Sequence, residues 1–567
     1  MVNFIRDPRW GRTNEMIGGE DTLLGSVLGN AFVRGLQTGT VSHTPYRMVH
    51  TIAKHLSSYS GPEGYCGGDT FSTQTRFKNT ARMTERAWRE FFLPPWRAMA
   101  QEAGVTGFMS SYQAVALDGA AVGVPDSANA QLLTDIVRRE WNYSGYVLSD
   151  AGAVAFVGPV VYQGVQIGHE YAPNASEAAA QALLAGVDIE LTCCGLPAVY
   201  STLEAAVNSG RVAMTAIDRA LRRTLPYRFE LGTLDPPGRC PYDTLGRANV
   251  STPSMLELAL DTAQQAVVLL KNTPSGLPLQ RTALAARTLL VLGPAGDNVL
   301  AQQGGYVNQH PLFIRTPLAG LTDALPLTRV LFEPGCDTMA CSQLNASVPA
   351  LVATADAVVV VLGTTVYPWP GYACQPDQTA VEAEGWDRAN ISLPGHQLEL
   401  LQQAAAAARS GVPVILVVNN AGALDVSWAQ ASPRVDAIVH LPFLGMTSGV
   451  CQSKNRRRKE SEEKRSGEQA GKKRYSSVIL YTFSSPLFLN MAQTAMASVL
   501  LGDVNPAGRL THTCYTNDGL SAIGNITDYR WCFFFFFFFF FFNLTFCHFY
   551  LFYRFFFFFF FFFFFFF

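Results

Sequence analysis

The chain has 567 residues, and its 42 Lys and Arg against 44 Asp and Glu leave a formal net charge of −2. That length accommodates two or three domains around large buried cores. The balanced charge argues against nucleic acid as a partner and for a small, neutral or weakly charged ligand.

Residues 1–235 alternate short apolar strands with amphipathic helices, the rhythm of an α/β barrel or open sheet. The segment RDPRWGR comes first and contains Arg12 beside Trp10. An indole can stack on a sugar face while a guanidinium offers a planar fork to hydroxyls. The alternative is a loop pinned by an ion pair from Arg12 to Glu15 or Glu20. Four strand ends then stand out. Thr51-Ile52-Ala53 runs into Lys54-His55, and Gly107-Phe108-Met109 into Ser111-Tyr112. Gly145-Tyr146-Val147-Leu148 runs into Ser149-Asp150, and Gly186-Val187 into Asp188. In a parallel barrel such ends converge on one face, where chemistry is built. Helices are expected between them over 129–140 and 176–185.

Residues 236–255 are rich in Pro and Gly and read as a linker. A second α/β unit is expected over 256–530, with strands at 289–293, 357–363, 413–418 and 436–441 and a helix over 396–409. These strands are near-continuous Val, Ile and Leu, the mark of a sheet covered on both faces. Cys336 and Cys341 are close enough for a local disulfide, whereas adjacent Cys193 and Cys194 cannot easily pair with each other. The eleven Cys lack the short paired spacings of a zinc site, and no metal or organic cofactor is expected.

Two stretches break the pattern. Residues 453–474 are a dense charge run that no core could hold, and 450–490 as a whole read as an insertion of intron origin. Residues 533–542 and 555–567 are pure Phe. A membrane span is the functional alternative, but natural spans mix Leu, Ile, Val, Ala and Gly. A translated pyrimidine tract gives a run of one amino acid, so 531–567 read as a translation artefact and no membrane partner is expected without them. Sequons for N-glycosylation at Asn142, Asn174, Asn249, Asn345, Asn390, Asn525 and Asn543 favour an extracellular or secretory/vacuolar location, with the signal peptide lost together with a missing N-terminus.

Hydrolysis of a glycosidic bond needs one carboxylate as nucleophile and one carboxylic acid to protonate the leaving oxygen, about 5–5.5 Å apart in the retaining geometry. Asp150 ends an apolar strand and is followed by Ala151, Gly152 and Ala153, which are small enough to admit a sugar ring. Its alternative reading is a helix N-cap. Lys54 and His55 supply a cation and an imidazole that could hold hydroxyls and keep a carboxylate ionised; surface placement is the alternative.

The strings NFIRDPRWGRTNEMIGGEDTLLG, KHLSSYS, MSSYQAV, GYVLSDAGAV and AGVDIELTCCG resemble, in this order, glycoside hydrolase family 3. Further on, LLVLGPAGDN, VEAEGWDR, LPGHQLELL and GDVNPAGRLTHT continue the resemblance to about residue 530. The EAEGxDR segment is most similar to the β-xylosidase and α-arabinofuranosidase branch. The resemblance implies a (β/α)8-type barrel, here N-terminally truncated over 1–235, followed by an α/β sandwich with the active site between them. It implies Asp150 as nucleophile, Arg12, Lys54, His55 and Tyr112 as sugar-binding residues, and an acid/base from the second domain. Glu382 and Glu384 are the candidates for the acid/base, with Glu382 preferred and a pairing of both with Arg388 as the alternative. The implied activity is retaining release of xylose from β-1,4-xylo-oligosaccharides. A β-glucosidase, an α-L-arabinofuranosidase and an inactive sugar-binding relative stand as alternatives. The chain reads SDAGAV where the family often has SDCDAV, and 364–378 look longer than the equivalent loop.

Overall fold

The computed structural model describes residues 1–38, 44–63, 75–162, 165–192, 196, 198–246, 249–250, 252–306, 315–367, 380–420, 422–443 and 492–520. Cys193 and Cys194, the 450–490 and 531–567 segments and most of the 364–378 loop lie outside the described residues.

Strands of the first unit are β1 (Ile52–Leu56), β2 (Thr80–Met83), β3 (Gly107–Ser110), β4 (Ala114–Leu117), β5 (Val124–Pro125), β6 (Tyr146–Ser149), β7 (Val160–Tyr162) and β8 (Val165–Ile167). Three of them form a parallel sheet in the order β1-β3-β6, with Ile52 beside Gly107 and Gly107 beside Tyr146. Ile189 continues the arc by a parallel bridge to Leu148. On the opposite flank the Val2 N–H reaches the Lys54 carbonyl at 3.1 Å. Three of the four expected strand ends, those of β1, β3 and β6, therefore fall on one barrel-like arc of parallel strands whose carboxyl ends open on the same side. Strands β2, β4 and β5 make a small side sheet, and β7 and β8 a hairpin.

Helices Gln131–Glu140, wound with the wider π spacing, and Ala175–Ala185 coincide closely with the two expected. Their apolar faces, including Leu132, Ile136, Val137, Ala179 and Leu183, join Phe108 and Val147 in one core behind the arc. Asp188, expected at an open strand end, turns into that framework instead. It pairs with Arg138 at 2.8 Å and Arg223 at 3.0 Å and accepts the Val147 N–H at 2.9 Å. A buried carboxylate so fully engaged fastens the helices to the sheet.

The second unit contains β9 (Val268–Asn272), β10 (Thr288–Leu292), β11 (Arg329–Glu333), β12 (Ala357–Gly363), β13 (Val414–Asn419) and β14 (Ala437–Leu441). They form one sheet in the order β11-β10-β12-β13-β14-β9, parallel except for β9 at its edge. All seven residues of β12 are buried. Val359 and Val361 face one core with Ala263, Leu321 and Met496 from helices Pro253–Ala266, Pro317–Ala324 and Ala492–Leu500. Val358, Val360 and Leu362 face the other, against Val352 and Leu400 from helices Val348–Thr354 and Gln397–Ala407. Alternation within an unbroken apolar run serves both faces at once. The four strands expected from sequence are β10, β12, β13 and β14. The edge strands β9 and β11 escaped because they are only half-buried, and β11 carries charge at both ends. Helix Pro253–Ala266 begins inside the stretch read as linker, where the Thr252 hydroxyl caps it by accepting the Met255 N–H. Cys336 and Cys341 form the expected disulfide, with their Cα atoms 4.9 Å apart. Among the described residues no helix is long and apolar enough to cross a membrane.

Candidate active site

Strand β6 is buried throughout, and its last hydrogen bond leaves Asp150 at the lip of the arc, with its N–H on the Ser110 carbonyl at 3.0 Å. One carboxylate oxygen, Oδ1, accepts the Ala151 N–H at 2.7 Å, while Oδ2 lies 3.1 Å from His55 Nε2. Asp150 therefore turns one oxygen to the start of its own following turn, part of the capping role weighed above, and the other to the imidazole. Burial alone would raise its pKa. The contact with His55 and the charges of Lys54 and Arg76 outweigh burial and hold the carboxyl below its ordinary value. Burial drives His55 the other way, to about 4, so the ring is neutral near pH 7. An ionised Asp150 beside a neutral imidazole requires the proton on Nε2, which donates it. Asn3 fixes the backbone of His55 from both sides, accepting its N–H at 2.7 Å and donating to its carbonyl at 2.8 Å.

Lys54, one residue earlier, is also buried. Burial and Arg12 pull its pKa down against Glu15, Glu384 and Asp150, so its ammonium senses the carboxylates of both units. Arg12 directs Nε and Nη2 at Glu15, at 2.7 and 2.9 Å, the ion pair weighed as its alternative role. Glu20 instead accepts from Thr513, through N–H and hydroxyl, both at 2.9 Å. The remaining corner of Arg12, Nη1, points to Glu384 Oε1 at 3.4 Å. Arg76 Nη1 bridges the same oxygen at 2.6 Å and Glu63 at 3.1 Å. The Tyr306 hydroxyl donates to the other oxygen of Glu384, and its ring lies 4.3 Å from Lys54 Nζ. Burial would raise the Glu384 pKa, but Arg12, Arg76 and Lys54 drive it far below the usual carboxylate range.

Glu382 and Glu384 are thereby distinguished. Glu384 lies within the cationic cluster, with its side chain 19% exposed. Glu382 is buried and faces its own unit, accepting the Thr364 hydroxyl at 2.8 Å and the Gly422 N–H at 3.2 Å. Arg388, weighed as their common partner, directs Nη2 to the Ser392 carbonyl, and of the two glutamates it is the charge of Glu382 that acts on it, against the burial that pulls its pKa down. Tyr112 borders the site as an element of its wall. Its hydroxyl donates to the Ala151 carbonyl at 2.9 Å, and its ring packs edge-on against Phe77 and Phe156. Burial raises its pKa well above the ordinary phenol value, helped by the charges of Asp150 and Glu384.

The geometry thus gathers Asp150, His55, Lys54, Arg12, Tyr112 and Glu384 and turns Glu382 aside. Sequence reasoning missed Arg76, Glu63, Tyr306 and Asn3. None of them ends an apolar strand. Trp10, whose indole was expected to offer a face to a sugar, is instead fully buried edge-on against Tyr59 and donates to Glu63 at 2.8 Å.

Beneath the site, Asp126 is fully buried, and its Oδ2 accepts the Ser57 N–H at 2.8 Å and the Ser111 hydroxyl at 2.7 Å. It ties together the chain just beyond β1 and β3. Burial raises its pKa to about 7 despite those bonds. A folded pKa above the unfolded value of about 3.9 means that this group's contribution to stability is complete below pH 4 and is lost as the pH rises through 7. The full loss is at most about 4 kcal/mol. Asp126→Asn keeps an acceptor for both donors and cannot ionise. Urea melts of this variant should show a flatter stability profile between pH 4 and 8 than the parent, and equal slopes would contradict the assignment.

Comparison with known proteins follows the same division. The model described as "Glycosyl hydrolase family 3 N terminal domain" matches residues 1–226, and "Glycosyl hydrolase family 3 C-terminal domain" matches residues 267–451. The chain is 31% identical over 452 residues to a protein of Medicago sativa subsp. varia named β-xylosidase/α-L-arabinofuranosidase 1, covering 79% of this chain and 52% of that protein. It is 30% identical over 525 residues to β-D-xylosidase 1 of Arabidopsis thaliana, covering 92% and 56%. The chain thus spans about half the length of the curated relatives it matches. A solved exo-β-xylosidase in complex with a xylobiose aziridine probe superposes with a TM-score of 0.72 at 24% identity, over 93% of this chain and 56% of that one, a likeness of fold. The β-glucosidase of Listeria innocua in complex with isofagomine gives 0.65 at 25% identity, over 90% and 58%.

Proposed function

This chain belongs to glycosyl hydrolase family 3, and on that footing we propose that it is an exo-acting, retaining glycosidase releasing xylose from β-1,4-xylo-oligosaccharides. The observation that carries the reading is that Asp150 of the first unit and Glu384 of the second act on the same cations, Lys54 and Arg76, which help hold both carboxyls below their ordinary values. Asp150 stands at the lip of the arc on His55, and Glu384 reaches toward Lys54 from the second unit.

In the first step Asp150 attacks the anomeric carbon, the glycosidic C–O bond breaks, and the departing oxygen takes a proton from the second-unit acid. That acid is assigned to Glu384, because Glu382 faces Thr364 and Gly422. In the second step water loses a proton to the same glutamate and displaces Asp150 from the sugar, which restores both groups. His55 steadies the ionised nucleophile, and Lys54 and Arg12 offer donors to ring hydroxyls as positive charge develops at the anomeric carbon. Glu384 begins ionised among three cations, so a bound sugar must draw at least one of them away before it can act as an acid. The hydroxyls that replace it would do so by accepting hydrogen bonds from Lys54, Arg12 or Arg76.

A secretory route fits the same reading, since Asn142, Asn174, Asn249 and Asn390 are exposed. The Asn345 amide is engaged with Glu333 at 2.6 Å. The test is a panel of 4-nitrophenyl β-xyloside, β-glucoside and α-L-arabinofuranoside, with the first-formed sugar from the β-xyloside followed by NMR. The β-xyloside should be the best substrate and β-xylose the first product. Preference for another glycoside would reassign the sugar, and α-xylose as first product would overturn double displacement.

A further inference from the structure

The approach of the two units at this site is unusually close and is made by backbone. A Cβ on Gly11 would lie 1.8 Å from the Trp386 carbonyl oxygen, so no residue but glycine fits there. Glu384 occupies the tip of a tight turn in which the Trp386 N–H bonds the Ala383 carbonyl at 3.0 Å. Gly385 in that turn has φ +83°, the left-handed value that type II turns place at their third residue. A two-residue tip leaves the glutamate little freedom of its own, so its position is set by whatever fixes the turn.

The geometry points to Asp387 as the positioning residue for the acid/base, a carboxylate that fastens the Glu384 turn to the first unit without touching the sugar. Its Oδ1 accepts the Gly11 N–H at 3.0 Å and its Oδ2 the Glu63 N–H at 2.7 Å. Those donors belong to two different loops, RDPRWGR and the segment beyond β1, so one side chain joins three pieces of chain. Neighbouring bonds run alongside it. The Gly385 N–H reaches Glu63 Oε2 at 3.0 Å, and the Arg388 N–H reaches the Arg9 carbonyl at 2.8 Å. Glu63 in turn accepts from Arg76, which holds Glu384 itself. Asp387 is thus the hinge pin through which the second unit presents its glutamate to the arc that carries Asp150. The donors are backbone N–H groups on two separate loops, and a carboxylate has the two oxygens needed to serve both at once.

The inference rests on the glycosidase reading, and the experiment separates the two. The full chain and its Asp387→Ala and Asp387→Asn variants are assayed on xylobiose, whose leaving alcohol needs a proton, and on 2,4-dinitrophenyl β-xyloside, whose leaving group departs without one. Misplacing the acid should lower kcat/KM on xylobiose by about 10- to 100-fold, less than the roughly 10²- to 10⁴-fold lost when a general acid is removed outright. The dinitrophenyl substrate should change less than about threefold on the same argument. Asp387→Asn retains one acceptor oxygen and should show the same split to a smaller degree. It serves as the test if the Ala variant does not fold. Equal losses on both substrates, or no loss on xylobiose, would overturn the positioning role while leaving the glycosidase reading intact. A parent chain inactive on both substrates would overturn that reading and this inference with it.

Discussion

Asp150→Ala is expected to reduce kcat/KM on 4-nitrophenyl β-xyloside by about 10⁴-fold or more, on the scale seen when a covalent nucleophile is removed. The loss should leave the fold intact, since among the described residues the Asp150 side chain bonds the Ala151 N–H and His55, and its backbone bonds survive the substitution. Truncation opens a small space beside the anomeric carbon, and azide added in excess should restore turnover while yielding the α-xylosyl azide. That inverted product arises because the anion attacks from the face the carboxylate occupied. A 2-fluoro-xyloside with a good leaving group should label the parent chain on Asp150 and leave the variant unlabelled. Since His55 and the cations Lys54 and Arg76 hold Asp150 below its ordinary pKa, the acid limb of kcat/KM should fall at a pH below that of a free aspartate. Labelling of another residue, or an Ala variant of near-parental activity, would remove Asp150 from the mechanism.

The framework of this molecule was readable wherever a strand is buried on both faces or ends at the open side of the arc. β12 was located to the residue, Asp150 was found because it lies just beyond β6, and Lys54 and His55 because they close the short apolar run that opens β1, which continues to Leu56. Edge strands failed for the converse reason. β11 begins with Arg329 and ends with Glu333, and half-burial allows that mixture. The second half of the site was harder because it depends on contacts between residues about 300 positions apart, such as Arg76 with Glu384. Sequence spacing says nothing about which of two glutamates, two residues apart, faces the other unit. A strand-like alternation would place Glu382 and Glu384 on the same side. The turn at Gly385 breaks that alternation, sending one toward Arg76 and leaving the other on Thr364. Tyr112 illustrates a subtler limit. Its place at an open strand end near Asp150 was expected, but the bond of its hydroxyl to Ala151 is a matter of side-chain direction that no motif encodes.

The division of labour between those glutamates leads to the second large effect. Glu384→Ala should lower kcat/KM on xylobiose by about 10²- to 10⁴-fold, the range for losing a general acid, while 2,4-dinitrophenyl β-xyloside should still transfer its xylosyl group to Asp150, releasing dinitrophenolate, at close to the parental rate. With that substrate the second step becomes limiting, and azide should accelerate it because a strong nucleophile needs no general base. Glu382→Ala should behave differently. It leaves the Thr364 hydroxyl and the Gly422 N–H without their acceptor inside the second unit, a defect of packing that lowers stability and affects both substrates alike. The charge state of Glu384 supplies an independent check. Arg76→Met removes one of the cations that hold it ionised, so its pKa must rise and the alkaline limb of kcat/KM on xylobiose must move to higher pH. If the leaving-group split belongs to Glu382→Ala instead, the acid is the residue now seen facing Thr364, and a ligand would have to rotate the Ala383–Trp386 turn to bring it forward. In that event Asp387 would be guarding a resting position, and the Arg76 substitution should leave the alkaline limb where it was.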